Sequence, residues 1–139
     1  NLQSIEHGTA NIENLTIVLI EDDDKIRQAL AEIFADWHCS VSSAANLREA
    51  LAACAAMDWA PDLIVSDYHL QNELGTTVIH NLHQEIGFAV PSIIITADRG
   101  ISQSHVHDLP YTTLLYKPLE LKLLQQTIAT MLAQYANES

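Results

Sequence analysis

The chain has 139 residues, 48% of them apolar, which suits one globular domain with a single core. Eighteen acidic residues against six basic ones leave a net charge of −12, and a surface that acidic repels DNA, RNA and anionic membranes. No apolar stretch approaches the roughly 20 residues of a membrane helix, and no signal-peptide pattern is present, so a cytoplasmic domain without membrane contact of its own is expected.

Residues 1–13 are polar and aperiodic and read as a linker or frayed tail, with one domain over 14–136. The chain opens Asn1-Leu2-Gln3 without a methionine, which gives the expectation of a piece excised from a longer protein. A first strand is predicted over about Thr16–Glu21. Asp24 then caps a helix from Lys25 to about Asp36, with Ile26, Leu30, Ile33 and Phe34 on one face. A short second strand follows at Cys39–Ser43. Asn46 is a good N-cap for an alanine-rich helix, Leu47–Ala56. Pro61 ends the connection to a third strand, Asp62–Asp67. The loop Tyr68–Gly75 leads into a helix of about Thr76–Glu85, stopped by Gly87. Pro91 precedes a fourth strand, Ser92–Thr96. Residues 99–112 carry Gly100 and Pro110 and have room for only one or two helical turns. A fifth strand, about Thr113–Tyr116, is followed by an amphipathic helix over about Glu120–Tyr135. Cys39 and Cys54 have no CxxC spacing and read as buried free thiols.

Strands alternating with helical segments imply right-handed crossovers and a parallel sheet. The apolar strand runs read as buried on both faces. In such a sheet chemistry collects outside the carboxyl ends of the strands. Four polar signatures stand there: Glu21-Asp22-Asp23-Asp24, Ser66-Asp67, Thr96-Ala97-Asp98 and Lys117-Pro118. Converging at one edge, these acids, hydroxyl and lysine suit a divalent metal and a phosphoryl group. Three carboxylates, Glu21, Asp22 and Asp67, would crowd one pocket, and at least one is expected to titrate above its ordinary value.

In this ordered set the chain resembles the receiver domain of two-component response regulators. The motifs are Glu21-Asp22, Asp67, Gly75 eight residues later, Thr96-Ala97 and Lys117-Pro118. Arg27, six residues after Glu21, stands where many receivers carry a basic residue and sets the register of the acidic run. The resemblance implies a flavodoxin-like α/β fold: a doubly wound, five-stranded parallel sheet of order 2-1-3-4-5. It implies that Asp67 is the phosphoacceptor, taking phosphate from a histidine kinase or a histidine phosphotransfer domain. It implies Mg²⁺ (or Mn²⁺) at Glu21, Asp22, Asp67 and the backbone carbonyl of His69, with Glu21 acting mainly through water. Lys117 and Thr96 would contact phosphoryl oxygens, and the small Ala97 would leave space for them. Pro118 implies a cis peptide that turns Lys117 into the pocket.

The chain departs from the receiver pattern in places. Leu114 occupies the usual aromatic switch position, which argues against an aromatic rotamer switch. Gln71 replaces the usual loop proline, and Asp108-Leu109-Pro110-Tyr111-Thr112 replaces the Gly-Ala before strand five. The fourth helix, a common signalling surface, should therefore be short or irregular. This combination is similar to receivers at the C-terminal end of hybrid sensor histidine kinases; a free-standing regulator or an N-terminal receiver is the alternative. A pseudo-receiver would lack part of the pocket, which is complete here. A dehalogenase-type phosphatase would need Asp-x-Asp-x-Thr after the first strand. A flavodoxin's phosphate loop would be repelled by Glu21–Asp24. His80 and His83, at i and i+3, read as structural or exposed rather than metal-binding, and His105 and His107 as solvated.

Overall fold

A computed structural model describes residues 12–138, so most of the expected tail over 1–13 lies outside the described residues; Ile12 is buried. The elements are β1 (Thr16–Ile20), α1 (Asp24–Asp36), β2 (Ser40–Ala44), α2 (Leu47–Ala56) and β3 (Leu63–Asp67). They continue with α3 (Gly75–Ile86), β4 (Ser92–Thr96), a 3₁₀ turn (Gln103–His105), β5 (Thr112–Tyr116) and α4 (Leu121–Glu138). All strand pairs are parallel, in the order β2-β1-β3-β4-β5.

Alternation along each strand divides the core into two layers. Ile17, Leu19, Leu63, Val65, Ile93 and Ile95 face α1 and α4, where Leu30, Phe34, Leu124 and Ile128 close on them. Val18, Ile20, Ile64, Ile94 and Leu114 face α2 and α3, packing on Ala50, Cys54, Val78, Ile79 and Leu82. Each fully buried Ile or Leu side chain contributes roughly 2 kcal/mol of hydrophobic stabilisation. Both cysteines are buried and free, and burial pushes the Cys54 thiol up to about 11.

Local differences from the sequence reading have local causes. The cap of α1 is Asp23, not Asp24: Asp23 holds the extended backbone of a cap and accepts the Ile26 N–H at 3.0 Å, while Asp24 turns to Arg27. β2 lies one residue later than expected, because Cys39 N–H still closes the end of α1 on the Phe34 carbonyl. Asn46 caps α2 as expected, accepting the Glu49 N–H, and Gly87 ends α3 in the left-handed region at φ 102°. Between β4 and β5 a single 3₁₀ turn forms, within the one or two helical turns expected there, and four α-helices pack on the sheet.

The register aligns the strand ends: Ile20 pairs with Ser66, Asp67 with Ile95 and Thr96 with Tyr116. The residues that follow are thereby brought to one rim.

Candidate functional site

Four strand ends build the rim. Glu21 follows β1 and is almost fully buried; its N–H bonds to the Ala44 carbonyl and its carboxylate accepts the Asp23 N–H at 3.1 Å. Asp22 is half-buried beside it. Asp67 ends β3 with its side chain 14% exposed. One carboxylate oxygen from each of Glu21, Asp22 and Asp67 lies within 4.8 Å of the others. Burial is the main reason that the Glu21 and Asp67 carboxyls sit above the usual carboxylate range. Mutual repulsion adds to it: Asp67 raises Glu21, and Asp22 raises Asp67.

Lys117 partly offsets that repulsion. Its ammonium lies 3.7 Å from Glu21 Oε1 and 3.7 Å from Asp67 Oδ1. The lysine is held at the end of β5 by its N–H, which bonds to the Thr96 carbonyl at 2.8 Å; the Lys117–Pro118 peptide is cis. Thr96 is buried at the end of β4. Its Oγ1 accepts the Asp98 N–H at 3.0 Å, which leaves the hydroxyl proton free to donate elsewhere. Ala97 is exposed beside it. Asp67 is held from behind. Ser66 Oγ donates to the Asp67 carbonyl at 2.9 Å, and Gly75 N–H bonds to the Tyr68 carbonyl at 2.7 Å. A Cβ on Gly75 would stand 2.1 Å from the Asp67 carbonyl oxygen, so only glycine permits this approach.

The sequence-predicted residues Glu21, Asp22, Asp67, Thr96, Ala97, Lys117 and Pro118 thus stand along one rim. His69 lies in the loop beyond Asp67, and its side chain does something not foreseen: Nε2 pairs with Asp98 Oδ2 at 2.9 Å, spanning the β3 and β4 loops. That pairing and the Gly100 N–H hold the Asp98 carboxyl below its ordinary value. Asp98 carried a signal in its place two residues after Thr96, but only the fold brings it to His69. Leu114 is buried in the core. Tyr116, on the same side, donates its hydroxyl proton to the Ile101 carbonyl and lies under Arg99, whose guanidinium is 4.5 Å from the ring centre. His80 is exposed, whereas His83 is buried with Nε2 3.1 Å from the Val90 carbonyl oxygen. His105 and His107 are exposed.

The acids fit a hard divalent cation, since Mg²⁺ accepts a few carboxylate oxygens and keeps several waters. Closely set buried carboxylates that titrate high form a site that gains from such an ion.

Comparison with known proteins agrees with this arrangement. The family described as response regulator receiver domain matches residues 17–129. The receiver domain of the hybrid histidine kinase CckA superposes with a TM-score of 0.68 at 23% identity, covering 84% of this chain and 98% of its own. The Vibrio cholerae chemotaxis protein CheY4 gives 0.72 at 24% identity, over 85% of this chain and 98% of its own. A two-component response regulator from Clostridium difficile gives 0.74 at 22%, over 88% and 98%. At these identities the structural likenesses show the fold. No curated protein sequence matches the chain.

Proposed function

Because this chain belongs to the response regulator receiver domain family of two-component signalling, we propose that it accepts a phosphoryl group on Asp67 from the phosphohistidine of a kinase or phosphotransfer domain. The observation that carries the proposal is the meeting of three carboxylates within 4.8 Å of one another with an ammonium 3.7 Å from Asp67. A carboxylate cluster alone would repel a phosphoryl group. The same cluster with a cation and a lysine can receive one.

Glu21, Asp22, Asp67 and the His69 carbonyl would hold Mg²⁺ or Mn²⁺, Glu21 through water. When bound, that ion supplies positive charge to the phosphoryl oxygens as charge spreads over them in the loose transition state. Asp67 attacks phosphorus with a carboxylate oxygen. An acyl phosphate P–O bond forms, the P–N bond to the donor histidine breaks, and its electron pair returns to the imidazole. Lys117 donates to one phosphoryl oxygen as a compact charge, and the Thr96 hydroxyl to another. Ala97 leaves room beside them. In the reverse sense the same groups pass the phosphoryl group onward to a histidine, or release it to water as inorganic phosphate with the carboxylate restored.

Two features favour a receiver that relays phosphate rather than one that signals through the usual surface. Leu114 has no hydroxyl to switch, and the helical segment between β4 and β5 is reduced to the 3₁₀ turn Gln103–His105. We read the parent protein as a hybrid sensor histidine kinase and its compartment as the cytoplasm. The phosphoacceptor is tested by incubating the chain with a small acyl phosphate and Mg²⁺ and weighing it. One added phosphoryl group on the wild type and none on Asp67→Ala is expected; an unchanged adduct in the variant defeats the assignment.

A further inference from the structure

Glu21-Asp22-Asp23-Asp24 places four carboxylates in succession between β1 and α1, in a turn that like charge drives apart. Three contacts hold its edges. Glu21 N–H bonds to Ala44, Glu21 Oε2 takes the Asp23 N–H, and Asp23 caps α1. The middle of the turn is held by one cation. Arg27, on the first turn of α1 with its side chain 22% exposed, donates Nη1–H to the Glu21 carbonyl at 2.7 Å. Its other arm, Nη2, donates to Asp24 Oδ1 at 2.5 Å. Those hydrogen bonds go to a backbone oxygen and a helix-start acid, not to any of the three clustered carboxylates.

The Glu21 carbonyl belongs to the peptide that joins Glu21 to Asp22. That peptide is planar and carries both α-carbons, so holding its oxygen restricts where the two side chains can start from. The guanidinium fork makes this a two-point grip, on the peptide and on the start of α1, that a single-point charge cannot reproduce. We infer that Arg27 is a positioning residue for the divalent-ion site: by gripping the Glu21–Asp22 peptide it holds these two acids at the separation from Asp67 that the ion requires. This rests on the reading of the acids as a cation site given above.

Charge and position act here with opposite signs. A guanidinium near the acids repels an incoming cation, so deleting it makes the site more negative and, by electrostatics alone, tightens cation binding. If the grip positions the acids, the same deletion weakens binding, because loss of an outer hydrogen bond to a metal site costs about tenfold or more in affinity. The sign of the change therefore separates the two roles.

The test is titration of the chain with Mn²⁺ alone, free ion being counted by electron paramagnetic resonance, beside metal-free thermal melts. Wild type, Arg27→Ala and Arg27→Lys are compared. Arg27→Ala should raise the Mn²⁺ Kd about tenfold, and Arg27→Lys should raise it by at least about threefold. A purely structural arginine would lower the melting temperature and leave the Kd where it was, or lower it. Arg27→Ala binding Mn²⁺ as tightly as wild type, or more tightly, overturns the inference. Should Arg27→Ala not fold, Arg27→Lys decides, and an affinity within about twofold of wild type overturns it. If wild type itself takes up no Mn²⁺, the cation-site reading falls first. If wild type binds and the arginine variants match it, the role of Arg27 alone falls.

Discussion

The Lys117 ammonium stands 3.7 Å from Asp67 Oδ1, within reach for ion pairing but beyond hydrogen-bonding distance. The gap is useful. A lysine bonded tightly to the acceptor carboxylate would block it, whereas one held just off it can close on a phosphoryl oxygen as Asp67 attacks. Lys117→Ala should therefore slow labelling of Asp67 by a small acyl phosphate by about tenfold or more, a loss of roughly 1.4 kcal/mol of transition-state stabilisation. Mn²⁺ binding should survive, since the variant removes a cation from the site. Loss of Mn²⁺ affinity would mean that the lysine is a structural strut.

The raised carboxyls of Glu21 and Asp67 make stability depend on pH with a defined sign. An acid whose folded pKa exceeds its unfolded value stabilises the fold at pH below the unfolded value, and that contribution disappears as pH rises through the folded value. At neutral pH the ion-free site is therefore under electrostatic strain. Glu21→Gln should raise the metal-free melting temperature by a few degrees at pH 7 and by less at pH 4.5. Added Mg²⁺ should raise the melting temperature of the wild type more than that of Glu21→Gln. A variant that melts lower than wild type at pH 7 would contradict this.

His83 gives the opposite pH dependence. Burial holds its imidazole below the ordinary histidine value, and its Nε2 faces the Val90 carbonyl and Ser92 Oγ. A base with a depressed folded pKa binds its proton more readily when unfolded, so the fold loses stability as pH falls through about 6.5 and down to the folded value. Urea melts at pH 7.5 and 5.5 should show this loss in the wild type and a smaller one in His83→Gln. Equal loss in both would assign it to other groups.

Much of this was legible in the chain. Strand runs such as Ile93-Ile94-Ile95 are short, aliphatic and bounded by turn residues, so the five strands and their order followed from pattern and resemblance. The carboxylates and Lys117 could be placed on one rim because each directly follows a strand, and a parallel sheet aligns strand ends. What escaped the sequence depends on side chains meeting across loops. Asp23 and Asp24 are equally good caps on paper; in the fold Asp23 takes the cap and Asp24 takes Arg27. The pairing of His69 with Asp98 joins residues 29 apart and has no sequence spacing of its own.

Gly75 tests how tightly the acceptor strand is held. The close approach of its α-carbon to the Asp67 carbonyl leaves no space for a methyl group. Gly75→Ala should cost about 2 kcal/mol or more, read from urea melts, and should slow labelling of Asp67 as the strand end shifts. A cost below about 0.5 kcal/mol would show that α3 can move away freely.

The most direct measurement is a crystal structure of the chain grown with Mg²⁺ and beryllofluoride, which mimics a phosphoryl group on a carboxylate. Beryllium should be bonded to an Asp67 oxygen, with an ion among Asp22, Asp67 and the His69 carbonyl and with Lys117 and Thr96 drawn onto the fluorines. A rim that binds neither group, with Glu21, Asp22 and Asp67 turned apart into solvent, would contradict this.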